Sequence, residues 1–139
     1  MNRQDKSLKA LIAILRTSGA LENMVRKDVS CNHLNLTEFS VLELLYHKGP
    51  QTIQTIKNKI LIASSSTTYV IDQLVKKGHV QREICQEDKR VTYVGITEEG
   101  KKLMDDIFPK HAERIETYFE QLTEDELVQL KVLLKKVNQ

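Results

Sequence analysis

Apolar residues recur three and four positions apart along most of this chain. Between residues 5 and 29, Leu8, Leu11, Ile12, Leu15, Leu21, Met24 and Val25 fall at that spacing, which predicts one long amphipathic helix. A second helix is expected in "NLTEFSVLELLYHKGP", capped by Thr37, with Phe39, Val41, Leu42, Leu44, Leu45 and Tyr46 apolar and Gly49-Pro50 as the stop. "QTIQTIKNKI" supplies a short third helix, capped by Thr52, with Ile53, Ile56 and Ile60 on one face. A fourth opens at "SSSTTYVIDQLVKKG" and ends at Gly78. The period then drops to two. Val80, Arg82 and Ile84 alternate with Gln81, Glu83 and Cys85, and Val91, Tyr93 and Gly95 with Thr92, Val94 and Ile96, so two strands form a hairpin packed through Val91 and Tyr93. Thr97 caps a long helix reaching about residue 120 with Pro109 inside it. The last helix opens on a capping box, Thr123 with Glu126.

The predicted order is α-α-α-α-β-β-α-α, a mainly α fold with a small β-hairpin. At 139 residues, with Gly 5 and Pro 2, the chain has the size of one domain and little material for linkers. No apolar run approaches the roughly 18 residues of a membrane span, and "MNRQDKSLKALIAILRTSG" lacks the features of a signal peptide, so a cytoplasmic protein without membrane contact is expected. A reducing compartment argues against a disulfide between Cys31 and Cys85. Net charge is only +2, but it is unevenly placed: seven Lys/Arg against four Asp/Glu in residues 50 to 96, seven against ten in residues 97 to 139. An anionic partner would therefore meet the middle of the chain.

Two short helices joined by a tight turn and followed by a hairpin make the winged helix-turn-helix arrangement, in which the start of the second helix faces the major groove of DNA. Here that start is Ser64, Ser65, Ser66, Thr67 and Thr68. One cap accounts for one or two of these hydroxyls, and five together form a poor helix start, so their use is read as contact with phosphates and base edges. Lys57, Lys59, Lys76 and Lys77 flank the motif and suit phosphate neutralisation. At the hairpin tip, Lys89 and Arg90 are placed to meet DNA, Arg90 in the minor groove. Asp88, two residues earlier, supports the wing by holding the guanidinium extended, while Glu87 reads as an ordinary turn residue.

"DKRVTYVGITEEGKKL", residues 88 to 103, resembles the D-x-R … V-x-L-T-x-x-G wing signature of the MarR family of bacterial transcription regulators, with Ile96 where leucine is common. The resemblance extends over the whole chain. It implies a single MarR-type domain over residues 1–139, with residues 1–30 and 98–139 as dimerisation helices and 37–97 as the winged helix-turn-helix DNA-binding region. It also implies a homodimer that represses transcription, each subunit reading half of a pseudo-palindromic double-stranded operator near its own gene, and released by an inducer. "LNLTEFSVLELLYHKGPQTIQ" with "RVTYVGIT" is similar to the subgroup of Firmicute repressors that answer quinones and hydroquinones. In the family, small phenolic inducers sit between the dimerisation helices and the winged region, and the matching positions are Leu11, Leu15, Phe39, Tyr46, Phe108 and His111.

Thiol-sensing relatives use an N-terminal cysteine, which makes Cys31 the redox candidate, with Arg26, Lys27 and His33 as nearby positive charge. Cys85 reads as structural. Cys31, His33, His47 and His111 could in principle meet as a zinc site, which keeps a zinc-responsive regulator as a lesser alternative, but their spacing is weak and no metal or cofactor is expected. The sequence contains no G-x-S-x-G, phosphate-cradling glycine loop, H-E-x-x-H or paired CxxC, and a non-enzyme is expected. A Cys31-dependent peroxidase and a winged module that binds protein are the rival functions.

Overall fold

The computed structural model of the chain describes residues 1–60 and 66–138. They form α1 (Arg3–Ser30), α2 (Leu36–Lys48), β1 (Gln51–Thr52), α3 (Ile53–Lys59), α4 (Thr67–Lys76), β2 (Val80–Ile84), β3 (Thr92–Ile96), α5 (Glu98–Tyr118) and α6 (Glu124–Val137). The residues cluster into two compact units, Met1–Ile107 and Phe108–Gln139, and α5 begins in the first and ends in the second.

Caps decide where several of these helices start. Asn2 with Asp5, and Thr123 with Glu126, each form the reciprocal pair in which the cap side chain takes the third helical N–H and the third side chain takes the cap N–H. The expected cap of α2 was displaced. Asn35, not Thr37, caps it: Asn35 Oδ1 accepts from the Glu38 N–H at 2.8 Å and Glu38 Oε1 from the Asn35 N–H at 3.0 Å. That exchange satisfies two otherwise orphaned donors and leaves Thr37 inside the first turn. Helix α4 begins later than expected, at Thr67, with Ser66 at the cap position and no side-chain cap hydrogen bond. Ser64 and Ser65 lie outside the described residues.

The core of the first unit is built by Val29, Phe39, Val41, Leu42 and Leu45 from the first two helices, Ile56 from α3, and Val70, Ile71 and Leu74 from α4. Burying side chains of this size contributes roughly 1.5–3 kcal/mol each. Val80, Val94 and Met104 add to it.

The sheet differs from the expected two-stranded hairpin. It has three strands in the order β1-β3-β2, all antiparallel: β2 pairs with β3 from Val80↔Ile96 to Ile84↔Thr92, and β1 adds Gln51↔Val94 and Thr52↔Tyr93. After Gly49, at φ 79, the chain reverses and runs beside β3 before Thr52 caps α3. A strand of two residues carries no period for sequence reading to detect. The inward face of the hairpin was also misassigned. Val94 is fully buried, whereas Val91 is half-buried, Tyr93 is 37% exposed and Ile84 is 63% exposed. Val80 at the base of the hairpin and Val94 in the middle of β3 meet the core, and toward the tip alternation no longer marks inside from outside.

Thr97 and Gly100 set the junction from sheet to α5. Thr97 Oγ1 donates to the Gly78 carbonyl at 2.6 Å and accepts from the Gly100 N–H at 3.0 Å, while the Thr97 N–H donates to the His79 carbonyl at 3.0 Å. Gly100 then packs so closely that a Cβ there would stand 2.2 Å from the His79 oxygen.

Candidate nucleic-acid interface

Helix α4 buries Val70, Ile71 and Leu74 against α2 and α3 and turns its opposite face outward. Ser66, Thr68, Tyr69 and Lys76 are exposed and Thr67 is half-buried, so the described part of the hydroxyl cluster lies at the free end of the helix. Lys57 and Lys59, in the last turn of α3, are also exposed. Tyr69, the third residue of α4, is 60% exposed and joins this surface without having been expected there. Its signal was its place on the far side of the Val70–Ile71–Leu74 stripe, since an aromatic there has no core to enter.

Two ion pairs fix α4. Asp72 on its outer side accepts from Arg82 of β2, which ties the helix to the hairpin. At its C-terminal end Lys77 Nζ donates to both Glu38 oxygens, at 2.8 and 3.0 Å, and to the His33 carbonyl at 2.7 Å. This corrects the expectation that Lys77 serves a phosphate, because an ammonium has three hydrogens and all three are used inside the protein. Lys76, one position earlier, keeps an exposed position.

The hairpin closes where the Cys85 N–H donates to the Val91 carbonyl at 2.9 Å and the Val91 N–H to the Asp88 carbonyl at 3.0 Å. Asp88 and Arg90 come together in the tip, and hydrogen bonds from Arg90 hold the Asp88 carboxyl below its usual pKa. Lys89 is exposed beside them.

The six positions matched to a ligand site divide between the two units, Leu11, Leu15, Phe39 and Tyr46 in the first and Phe108 and His111 in the second. Leu11 and Leu15 are exposed at 51% and 61%, Phe39 is core, and the Tyr46 hydroxyl donates to Asp105, which raises the tyrosine pKa. In the second unit the rings of Phe108 and His111 lie 6.0 Å apart, with His111 buried. Cys31 is exposed at the C-cap of α1 and its Sγ accepts from Asn32 Nδ2 at 3.4 Å. Among the described residues no three of His, Cys, Asp and Glu are grouped to hold a metal ion, and no helix is long and apolar enough to cross a membrane.

A short helix buttressing a second that exposes Ser66 and Thr68 at its start, beside a β-ribbon tipped with an exposed arginine, defines a winged helix-turn-helix DNA-binding protein. Comparison with known proteins agrees. Residues 34–92 match the MarR family. The chain is similar to the HTH-type transcriptional regulator MhqR of Bacillus subtilis (strain 168), 44% identical over 133 residues that span 96% of this chain and 92% of that protein. It belongs to the MarR family and is a DNA-binding transcriptional regulator of the MhqR subgroup. Among solved structures it is similar to NadR in complex with 4-hydroxyphenylacetate, with a TM-score of 0.80 and 26% identity over 91% of this chain and 89% of that one. AbsC from Streptomyces coelicolor shares the fold at a TM-score of 0.86 and 20% identity, over 99% and 94% of the two chains.

Proposed function

We propose that this chain is a cytoplasmic homodimeric repressor that binds a pseudo-palindromic operator and is released by a small phenolic or quinone-type inducer. The observation that carries the DNA assignment is the pairing of the exposed start of α4 with the exposed, carboxylate-held Arg90 at the wing tip. In this reading Ser64, Ser65, Ser66, Thr67 and Thr68 contact the major groove and Lys76 and Lys89 contact phosphates. Arg90 enters the minor groove, with Asp88 setting its direction.

The dimer is supported by apolar residues left exposed at both ends of the chain, Leu8, Leu11, Ile12 and Leu15 on α1 and Val128, Leu133 and Val137 on α6. Exposed apolar stripes of this length on helices mark association surfaces. The inducer class is supported by the resemblance of residues 34–54 to repressors that answer quinones and by the phenol bound in the NadR complex. The chain acts by binding, without catalysis.

A mobility-shift titration with DNA from upstream of the protein's own gene tests this reading, repeated with hydroquinones, quinones, hydrogen peroxide and zinc. Binding that weakens with salt and is released by the phenolic or quinone compounds is the expected result. Release by peroxide alone, abolished in Cys31→Ser, would make Cys31 the sensor instead. Peroxide turnover in a reducing assay, lost in the same variant, would support the peroxidase.

A further inference from the structure

Lys77 is where three parts of the first unit meet. Its ammonium bonds the His33 carbonyl of the α1–α2 turn and both carboxylate oxygens of Glu38 in the first turn of α2, and it caps the C-terminus of α4. The partners are 44 and 39 residues away in sequence. Glu38 is only 3% exposed, and its Oε1 also accepts from the Asn35 N–H, so one buried carboxylate closes the α2 cap and receives Lys77. His33 stands at φ 60, a left-handed backbone that non-glycine residues seldom adopt. A buried carboxylate deprived of its cation is strongly disfavoured, so this joint resists opening.

We infer that Lys77 is a positioning residue for DNA recognition: with Glu38 and His33 it pins the C-terminal end of α4 to the turn that ends α1, coupling the direction of α4 to the position of α1. On the other side of the same helix Asp72–Arg82 ties it to the wing. A helix held from both sides by ion pairs presents its outward face in one orientation. Any displacement of the end of α1 is carried to it through the His33 carbonyl and Glu38. The inference rests on α4 being the DNA-contacting helix.

Lys77→Met and Glu38→Gln test it together, because they change the net charge in opposite directions. If charge alone mattered, the first would weaken DNA binding and the second would strengthen it. Positioning requires both to weaken it. Gln at the third helical position still supports a capping box, so Glu38→Gln guards against simple loss of folding. In the DNA-free protein, amide exchange across residues 67–77 is expected to quicken in both variants while α6 is unchanged. On the duplex protected by the wild-type protein, both are expected to lose about tenfold to a hundredfold in affinity, the scale of one or two lost base contacts. Affinity for a scrambled duplex, and the salt dependence, should stay at the wild-type level. Opposite movements of the two variants, unchanged exchange in α4, or a salt slope reduced by about one ion per subunit in Lys77→Met would overturn the inference. If the wild-type protein binds no duplex at all, the DNA reading itself fails, and the exchange result alone still decides the joint.

Discussion

The Asp88 carboxylate grips Arg90 at three points. Oδ1 accepts from the Arg90 backbone N–H and from Nε, each at 3.0 Å, and Oδ2 accepts from Nη2 at 3.2 Å. The arginine side chain nevertheless remains 90% exposed. The pair stabilises the fold little, since solvent screens an exposed ion pair and holding two side chains in one geometry costs entropy. What it does is limit the directions in which a free guanidinium points, lowering the entropy lost when that group meets a ligand.

Arg90→Ala is therefore expected to weaken operator binding by about 1–3 kcal/mol and to reduce the salt slope by about one ion per subunit. Asp88→Asn should weaken binding by less and leave the slope unchanged. Anisotropy titrations at four or five salt concentrations measure both. Tighter binding by Asp88→Asn would mean that Asp88 only repels phosphate and does not orient the arginine.

His79 gives the stability a pH dependence. Its Nδ1 is buried without a hydrogen-bond partner, and burial, with the Lys77 charge second, lowers the pKa below the ordinary 6.5 against smaller opposing effects of Glu99 and Glu38. The neutral ring is thus favoured in the folded state. Its contribution is full above about pH 6.5 and is lost as pH falls toward the folded value, because the unfolded chain takes up the proton first. Urea unfolding at pH 7.5 and pH 5.5 should show a larger loss for the wild type than for His79→Gln. Equal losses would remove His79 from the account.

Gly100 explains part of the wing signature without reference to DNA. A Cβ at this position would stand 2.2 Å from the His79 oxygen and 2.7 Å from Ile96 Cγ1, and the same carbonyl is already held by the Thr97 N–H. Gly100→Ala should destabilise the fold by about 2–3 kcal/mol, at the upper end for overpacking because backbone must move. Thermal unfolding reads this directly. A change below about 0.5 kcal/mol would show that α5 shifts freely away from β2.

Much of the fold was legible because helical periodicity and caps are local. Phe39, Leu42 and Leu45 announced α2, and Thr123 with Glu126 announced α6. Asp88–Arg90 was legible for the same reason, its partners being two residues apart. What escaped was set by distance. Lys77 and Glu38 look like surface charges in sequence and become partners only when α4 is laid beside α2. β1 exists because β3 lies next to it, and Val94 is buried rather than Tyr93 because of what lies under the sheet. The cap at Asn35 was a contest between two suitable residues, decided by Glu38.

A nuclease-protection footprint of the wild-type protein on the DNA upstream of its own gene is the most direct measurement of the central claim. Two protected half-sites of related sequence are expected, about one helical turn or roughly 34 Å apart, with protection fading as salt rises and when a hydroquinone or quinone is added. Protection at neither half-site at low salt, or a single protected site with no symmetry, would contradict a dimeric winged-helix repressor.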